Sequence, residues 1–477
     1  MNYRMIRNIL GWLLIFECGF MAVPAITALV FGESQFWHFL VTMLFCAGIG
    51  GLCVLRKPKS SVLYAREGFV IVSLSWIVLS AFGALPFFLS GCIPSFVDAL
   101  FETVSGFTTT GASILTEVES LPKCMLMWRS FTHWVGGMGV LVFIMAFVPL
   151  SGGQNMHIMK AETPGPSVSK LVPRVKTTAL ILYSIYLVMT FVMFILLLCG
   201  GMSVFESLNT SFATAGTGGF GLRNDSFAGF SPYSQIVVTV FMLLFSVNFT
   251  CYYLFLLGRF KEGFNAELRR FIYLVGLVIL VITLNVRGSF TTLGEALRHV
   301  SFTVASAIST TGFATVDFNL WPELSRTLLV LIMFIGGCAG STSGGLKISR
   351  LMIFFRNAFT EMGNLIHPHR VKRVTIDGHP VEPAVVRVTN VYMAWYILLF
   401  TVSFIIISLE DHDLITNFTA VTATINNVGP GLGLVGPTGN YAFFSIPSKL
   451  VLIFDMLAGR LGIFSMLALF APATWRK

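Results

Sequence analysis

The sequence predicts an all-α membrane protein with two leading transmembrane helices and four repeats, each made of a span, a re-entrant loop and a second span. Three observations support this class. The chain is 55% hydrophobic and only 11% charged, whereas soluble proteins carry roughly 25% charged residues. Apolar runs that could cross a hydrocarbon core of roughly 30 Å recur along the chain. Between these runs, a tripeptide that begins with Thr or Asn and ends with Gly occurs four times.

Two apolar runs, near residues 9–31 and 37–55, form the leading part of the chain, residues 1–66. The first run follows Arg4 and Arg7, but it is long and lacks a small-residue cleavage site. We therefore expect this run to be retained as a span rather than removed as a signal peptide.

The rest of the chain divides into four units, each with two apolar runs that flank a shorter helix-like stretch and a loop. The units are predicted at residues 67–158, 159–265, 266–375 and 376–477. Their spans fall near 69–90 and 124–149, 177–200 and 233–258, 271–286 and 326–355, and 388–409 and 448–471. With the two leading runs, this pattern predicts ten crossings.

Two recurring features indicate an internal repeat. Leu100 precedes Gly111 by the same interval as Leu208 precedes Gly219. Proline suits the first turn of a helix, where its missing N–H is not needed, and a proline comes just before the second span of every unit: Pro122, Pro232, Pro322 and Pro447.

Lysine and arginine cluster in alternate connections, which include residues 56–66, 160–176, 259–270 and 350–373. Positively charged connections lie on the cytoplasmic side of a membrane. Both termini are therefore expected inside and the four glycine-ended loops outside. This distribution accounts for the net charge of +9 and argues against nucleic-acid binding. Acidic residues on the outer side would raise the local cation concentration; they are Glu117, Glu119, Asp225, Asp317, Glu410, Asp411 and Asp413.

The four tripeptides have the composition of an ion-selectivity filter. Non-helical backbone at membrane depth must be buried in protein or line a water-filled path, so the loops should converge in a pseudo-fourfold arrangement around one pore. Rings of backbone carbonyls can replace the hydration shell of K⁺, and a half-helix that points its carbonyl end inward favours a cation. The predicted K⁺ site consists of Thr109, Thr110 and Gly111; Thr217, Gly218 and Gly219; Thr310, Thr311 and Gly312; and Asn427, Val428 and Gly429.

Two alternatives remain open at this level. The loops could be ordinary interhelical turns, since glycine is common in membrane proteins. In the second loop, Thr214 to Gly216 competes with Thr217 to Gly219 for the equivalent position. We prefer the second register because it keeps the leucine interval and places Phe220 after the glycine, as Phe313 follows Gly312.

The second span of the third unit is interrupted by residues 336–347, which we call the interrupting segment. Glycine costs about 1 kcal/mol relative to alanine within a helix, so a loop or broken helix is expected here. The functional interpretation is a gate beneath the filter, and the alternative is tight helix crossing through Gly336 and Gly340. The gate residues would be Gly336, Gly337, Gly340, Ser341, Thr342, Ser343, Gly344, Gly345 and Lys347, together with Arg460.

Arg460 lies in the middle of an apolar span, where a charge costs roughly 3 kcal/mol. It could form an electrostatic barrier, pair with the oxygen-rich gate, or make a purely structural contact with backbone carbonyls. Arg129 and His133 are interpreted as structural, since no second His or Cys lies at metal-ligand spacing. The eight cysteines are scattered singly, which favours structural thiols.

These motifs together resemble the TrkH/TrkG branch of the Trk/Ktr/HKT superfamily of potassium transporters over the whole chain. The resemblance implies a homodimer with one pore per protomer, a gate after the third filter loop, and a cytosolic TrkA-like ring that binds nucleotides. Glycine in all four loops is similar to the potassium-selective pattern. The family usually has an acid after the Arg-Leu pair, where this chain has Gly462. The motifs on which this resemblance rests are Ser105–Ala112, Trp128–Gly139, Gly218–Phe220, Gly336–Lys347, Asn426–Gly433 and Gly459–Leu461.

The predicted function is therefore potassium uptake across the bacterial inner membrane by a multi-pass protein surrounded by lipid. No cofactor is expected on this chain, which has no Gly-x-x-x-x-Gly-Lys-Ser/Thr sequence. A rocking symporter coupled to protons or sodium is the second hypothesis. A membrane-embedded enzyme is the third, but the sequence offers no nucleophile, metal cluster or carboxylate pair for it.

Overall fold

A computed structural model describes residues 1–55, 64–139, 175–367 and 373–475. These residues form a helical protein with a single two-stranded hairpin. The predicted all-α class is confirmed. Several cationic positions used to predict orientation lie outside the described residues, as does the end of the predicted span at 124–149. They include Arg56, Lys57, Lys59, Lys160, Lys170, Arg174, Arg370 and Lys372.

The two leading helices are Tyr3–Phe31 and Phe36–Leu55. The first begins at Asn2, whose side chain accepts a hydrogen bond from the backbone N–H of Met5 at 3.1 Å. It ends at Gly32, which adopts a left-handed conformation with φ of 68° and so turns the chain into the second helix. The two helices pack against each other, and the first also packs against the first unit.

The remaining elements follow the same order four times, and we name them by that order. Each unit has a first-span helix, a half-helix of 12 or 17 residues, a loop, and a second-span helix. The first-span helices are Ala65–Gly83 (extended by Leu85–Leu89), Val175–Cys199, Ala266–Val286 and Pro383–Ile407. The half-helices 1 to 4 are Phe96–Phe107, Val204–Ala215, Leu293–Ser309 and Leu414–Ile425.

The second-span helices are Lys123–Gly137; Pro232–Phe245 with Phe249–Leu256; Glu323–Ile335 with Ile348–Ile366; and Ile446–Leu461 with Ile463–Phe470. The short helices Phe260–Gly263 and Pro472–Trp475 and the 3₁₀ turns Arg287–Ser289, Phe318–Leu320, Ser408–Glu410 and Gly433–Val435 complete the helical elements described. The strands Thr375–Ile376 and His379–Pro380 form the antiparallel hairpin.

Each half-helix begins with a polar side chain that caps it. Ser95, Ser203, Thr292 and Asp413 accept a hydrogen bond from the backbone N–H three residues later, at 3.0–3.4 Å. Such caps satisfy N–H groups that the helix leaves unpaired, and each typically stabilises it by about 1 kcal/mol. The start of every half-helix is therefore encoded locally in the sequence.

Three of the four second-span helices are broken within the described residues, and only one of these breaks was predicted. The second one bends by 91° between Phe245 and Phe249. The third is interrupted by residues 336–347, as predicted, and the fourth breaks at Gly462, where φ is 85°. Six of the described helices are long and apolar enough to span a membrane, or seven if the bent pair counts as one. The count of ten crossings stays a prediction, and the breaks after Phe245 and at Gly462 were not expected because hydropathy does not register a break of one to three residues.

Two of the prolines also lie one position earlier than predicted. Pro232 and Pro447 occupy the first turn of their helices, whereas Pro122 and Pro322 are the N-cap residues of theirs. Proline suits both places, since neither position requires a backbone N–H donor.

The packing of the half-helices follows a cyclic order. Each half-helix contacts the second-span helix of its own unit and also that of the preceding unit. The first half-helix has no preceding unit in sequence, and it packs instead against Ile446–Leu461 of the fourth. The first and fourth units thus pack against each other, and the four loops are brought together.

Candidate ion filter and interrupting segment

The four loops that follow the half-helices share one backbone conformation. Thr109, Thr217, Thr310 and Asn427 have positive φ angles of 55°, 54°, 58° and 55°. Two residues later, Gly111, Gly219, Gly312 and Gly429 have φ angles of 80°, 79°, 86° and 92°. The backbone of Thr217 to Gly219 therefore matches the other three loops, whereas Thr214 and Ala215 belong to half-helix 2. This likeness favours the register chosen from the sequence.

The loops meet in a closed ring. A Cβ atom added to Gly111 would overlap the carbonyl oxygen of Gly218, and one added to Gly219 would overlap that of Thr311. In the same way, Gly312 faces the carbonyl of Val428, and Gly429 faces the carbonyl of Thr110. Each glycine thus lies against the middle residue of the next loop, and the fourth loop returns to the first. One carbonyl from the equivalent position of every loop takes part.

The side chains of the loops mainly brace the backbone. Thr110 shares a hydrogen bond with Thr108 at 2.8 Å, and Thr311 shares one with Ser309 at 2.6 Å. Asn427 donates from Nδ2 to Thr110 Oγ1 at 2.9 Å and to the carbonyl of Met456 at 2.8 Å. Thr109 Oγ1 and Asn427 Oδ1, by contrast, are buried without a hydrogen-bond partner, so side-chain oxygens of loops 1 and 4 remain available to a cation beside the backbone carbonyls.

All four loop glycines line a cavity of about 110 Å³. Arg129 and Arg223 also line it, and each is paired with a carboxylate: Arg129 with Glu102 at 2.8 Å, and Arg223 with Glu206 at 3.0 Å. These pairs offset two positive charges beside a candidate cation path. Burial alone would raise the pKa of Glu206, but hydrogen bonds from Ser203 and Arg223 and the charge of Arg223 outweigh it and lower that pKa, so Glu206 stays ionised.

The Glu102–Arg129 pair also ties together the first two loops. Glu102 accepts hydrogen bonds from Ser113 Oγ at 3.0 Å and the Ile114 N–H at 3.0 Å, both just beyond loop 1. Arg129 donates to the carbonyl of Gly221 beyond loop 2 at 3.2 Å. Both side chains are buried. Glu102 was missed by the sequence analysis, although an acid within an apolar half-helix is a signal that could have found it.

His133 links half-helix 1 to the residue that follows loop 2. Its Nδ1 lies 2.7 Å from the carbonyl of Gly106, and its Nε2 accepts from the N–H of Phe220 at 3.2 Å. Its ring fills the space that a side chain at Gly218 would need. Among the described residues, no group of three His, Cys, Asp or Glu side chains could hold a metal ion. The contacts agree with the structural interpretation of Arg129 and His133.

The interrupting segment lies directly against loops 3 and 4. The N–H of Gly344 donates to Thr310 Oγ1 at 2.7 Å, and a Cβ atom on Gly344 would overlap the carbonyl of Asn426. Gly336, with φ of 69°, packs against the carbonyl of Gly344. At its ends, the segment is fixed by hydrogen bonds from Leu346 to Phe334 at 3.2 Å and from Lys347 to Ile335 at 3.0 Å, both between backbone atoms. The segment is thus a compact loop with both ends joined.

The two basic side chains predicted near this segment, Lys347 and Arg460, both donate hydrogen bonds to backbone carbonyls. Lys347 is buried and donates to the carbonyl of Ser343. Arg460 donates to the carbonyl of Thr342 at 2.5 Å and to those of Gly136 and Gly137 at 2.6 and 2.5 Å. Arg460 thereby connects three units. From its sequence, Arg460 was expected to form a barrier, to pair with the interrupting segment or to contact backbone carbonyls elsewhere. The structure shows contacts of the second and third kinds.

Other predicted gate residues support the fold of the segment. Cys338, between Gly337 and Gly340, is held by a backbone hydrogen bond to Ser246 at 2.9 Å, and the carbonyl of Gly340 accepts from Phe249 at 3.1 Å. Ser341 Oγ donates to the carbonyl of Cys338 at 2.6 Å. Ser343 and Gly345 are buried at the base of the loop. The bend in the second unit's second span therefore forms one wall of the segment's site.

Comparison with known proteins identifies the family. The family model for TrkH, a cation transport protein, matches residues 34–477. The chain belongs to the TrkH family. It is 36% identical to the Trk system potassium uptake protein TrkH of Escherichia coli K12 over 486 residues, which cover 100% of both chains. It is 32% identical to TrkG of the same strain, covering 100% of this chain and 99% of the relative.

A solved member of the TrkH family has the same fold. The crystal structure of the potassium transporter TrkH from Vibrio parahaemolyticus matches with a TM-score of 0.89 and 33% identity, over 100% of both chains. The resemblance to the TrkH/TrkG branch is confirmed. As a TrkH family member with at least six apolar helices, the chain is a multi-pass membrane protein of a family of cation transporters rather than enzymes.

Proposed function

We propose that this protein takes up K⁺ across the bacterial inner membrane through a selectivity filter formed by the four loops, in a pseudo-fourfold arrangement around one pore. The observation that carries the proposal is the closed ring in which each loop glycine faces a carbonyl of the next loop. The relatives' names, which describe potassium uptake proteins of the Trk system, supply the ion.

The ring supports a site for a dehydrated cation. Thr110, Gly218, Thr311 and Val428 contribute one carbonyl each, so oxygen ligands come from four sides. Every half-helix ends immediately before its loop, and the partial negative charge at a helix C-terminus favours a cation there. The fold thus provides both the ligands and a matching electrostatic field. The K⁺ site is proposed at Thr109 to Gly111, Thr217 to Gly219, Thr310 to Gly312 and Asn427 to Gly429.

The interrupting segment and Arg460 are proposed as the gate. The segment packs against Thr310 and Asn426, at the ends of half-helices 3 and 4. Arg460 holds the segment through the carbonyl of Thr342. Movement of the segment would therefore open the path on the side of the loops opposite the cavity lined by the four glycines.

The remaining features of the proposal follow the family resemblance. The protein would act as a homodimer with both termini in the cytoplasm, and a cytosolic TrkA-like nucleotide-binding subunit would move the gate. The five units at 1–66, 67–158, 159–265, 266–375 and 376–477 would correspond to the leading helices and the four pore repeats.

Flux of rubidium into liposomes that contain the purified protein tests the proposal. We expect rubidium to pass far faster than sodium, and Gly312 replaced by a bulkier residue to abolish flux or selectivity without preventing membrane insertion. Equal flux of rubidium and sodium through the unaltered protein would reject the selectivity filter.

Proton-coupled symport is the second candidate, and two buried carboxylates favour it. Glu17 and Asp455 are both fully buried, and Asp455 accepts a hydrogen bond from Ser403 at 2.8 Å. Buried ionisable residues within membrane helices often belong to proton relays. Rubidium flux should be measured against an imposed voltage with and without a proton gradient; a gradient that drives flux at zero voltage would favour symport.

A further inference from the structure

A carboxylate outside the predicted gate holds the interrupting segment at two points. Glu267 lies at the start of the first-span helix Ala266–Val286. Its Oε1 accepts hydrogen bonds from the backbone N–H of Ala339, within the segment, at 2.8 Å and from that of Ser349, just after the segment, at 3.1 Å. A buried N–H group that loses its acceptor costs roughly 1–3 kcal/mol. One side chain thus joins the middle of the segment to the helix that follows it.

A second carboxylate connects Glu267 to a surface hairpin. Asp377 accepts from the backbone N–H of Ala266, the neighbour of Glu267, at 3.1 and 3.0 Å. Arg269, on the same turn, donates to Asp377 at 3.1 Å. The start of this helix is therefore held on one side by the hairpin and on the other by the segment.

The hairpin itself has a defined shape. Asp377 and Gly378 have φ angles of 48° and 81° and form the two-residue turn between Thr375–Ile376 and His379–Pro380. A turn with two positive φ angles matches the twist of a two-stranded hairpin. Ile376 packs against the apolar cluster that contains Cys338 and Ile348. The hairpin therefore packs against the same apolar cluster as residues near both ends of the interrupting segment.

We propose that Glu267 is a positioning residue that keeps the interrupting segment seated against loops 3 and 4, and that the Asp377 hairpin sets the position of Glu267. This inference rests on the proposed gating function of the segment. Removal of the Glu267 contacts should favour the unseated segment.

Reaction of Cys338 with a membrane-impermeant maleimide tests the proposal without ion flux. Cys338 lies in the segment and is 1% exposed. In a variant that retains Cys338 as its single cysteine, Glu267→Ala should accelerate labelling roughly tenfold or more, because both hydrogen bonds to the Glu267 side chain are lost. Glu267→Gln removes the charge but keeps an acceptor oxygen, so it should stay near the unaltered rate.

Three controls separate release of the segment from other effects. Glu262→Ala removes an exposed carboxylate of the same region that pairs with Arg259 instead, and it should not change labelling. Cys46 is equally buried, in the helix Phe36–Leu55, and a second variant retains it as its single cysteine. If Glu267→Ala exposes Cys46 as strongly as Cys338, the change is general loosening and the proposal is wrong.

The role of the hairpin is tested by Asp377→Gly, which removes the side chain but tolerates the positive φ, with Asp377→Asn as its control. Asp377→Gly should accelerate Cys338 labelling less than Glu267→Ala does, and the double variant should not exceed Glu267→Ala, since residues on one path are not additive. Additive effects would overturn the connection.

Rubidium flux in the same variants links the contacts to transport. Glu267→Ala should raise flux in the absence of any partner while leaving the ratio of rubidium to sodium unchanged, because the loops are not altered. If neither the unaltered protein nor Glu267→Ala shows flux, the proposed function fails but the labelling result still stands. If neither labelling nor flux changes in Glu267→Ala, Glu267 does not hold the segment.

Discussion

The four loops are alike in structure, whereas the second-span helices that follow them are not. The loops repeat one backbone conformation, with φ near 55° at the first residue and between 79° and 92° at the glycine. The second spans differ from unit to unit: one is bent by 91°, one contains the interrupting segment, and one breaks at Gly462. A cation that is bound from four sides needs equivalent ligands, whereas a path can be closed by a single obstruction. The proposed filter therefore requires near-symmetry of the loops, and the proposed gate does not require it of the second spans.

Whether the four loops are equivalent can be tested by adding a methyl group to one loop glycine at a time. Gly111→Ala, Gly219→Ala, Gly312→Ala and Gly429→Ala each place a Cβ atom on a neighbouring carbonyl at a positive φ. We expect all four to reduce rubidium flux by a factor on the order of 100, since overlap and backbone strain together cost several kcal/mol.

Two other glycines provide matched controls for this series. Gly258 has φ of 73° with open space around it, and Gly276 lies in a helix with open space. Gly258→Ala tests strain alone, and Gly276→Ala tests neither strain nor overlap. A series in which one loop tolerates alanine as well as Gly276 does would mean that the loops are not equivalent.

Loops 1 and 2 depend on the buried Glu102–Arg129 pair, which the other two loops lack among the described ion pairs. Glu102→Ala leaves Arg129 buried without its carboxylate, and breaking such a pair costs about 3–5 kcal/mol. The thermal midpoint of the detergent-solubilised protein should fall accordingly. Glu323→Ala, which removes an exposed carboxylate paired with Arg326, should change the midpoint little; similar losses in both variants would contradict the argument.

The gate should respond to Arg460→Ala in the direction opposite to the loops. This change removes contacts to the carbonyls of Thr342, Gly136 and Gly137 and also removes a positive charge from the proposed path. Rubidium flux should rise roughly tenfold, the effect of about 1.4 kcal/mol, with selectivity unchanged. Arg460→Lys keeps the charge and should give a smaller rise. Unchanged flux in Arg460→Ala would leave only a structural role.

The smallest expected effect concerns the cap of half-helix 4. Asp413 accepts from the N–H of Thr416, and hydrogen bonding to Thr416 lowers the pKa of Asp413. Asp413→Ala should reduce the free energy of unfolding by about 1 kcal/mol near pH 7. Because the folded-state pKa is lowered, this contribution is present above the unfolded pKa of about 3.9 and is lost as the pH falls through the folded-state value.

Thermal melts at neutral pH and below pH 4 measure this dependence. The difference between the unaltered protein and Asp413→Ala should shrink at the lower pH. Asp413→Asn should melt close to the unaltered protein at neutral pH, since asparagine also caps helices. A difference that grows on acidification would show that the carboxylate does not stabilise the helix as an anion.

The sequence predicted the parts of the molecule that are encoded locally. Apolar runs and capping residues mark the helices, and the paired positive φ angles coincide with Thr- or Asn-led tripeptides that end in glycine. The interruption at 336–347 was visible as a run of glycine, serine and threonine. These features depend on propensities that act within a few residues.

Contacts across the molecule could not be predicted in this way. Glu102 and Glu267 look like isolated acids in the sequence, and their partners lie at Arg129 and Ala339. Gly462 replaces the acid that the family resemblance led us to expect beside Arg460. The structure shows Arg460 held by backbone carbonyls, while Gly462 adopts φ of 85° at a helix break. Hydropathy carries no information about such pairings.

The ring of loops is closed between the first and last units, which no short connection joins. Asn427 reaches Thr110, Tyr441 donates from its backbone to Ser113 at 2.8 Å, and Lys449 pairs with Asp98 at 2.6 Å. A chain is synthesised from its N-terminus and its domains tend to fold in that order. During biosynthesis, the first three loops must therefore be in the membrane, without their contacts to the fourth loop, until the last unit is inserted. A truncated or stalled chain that lacks the last unit cannot complete the ring.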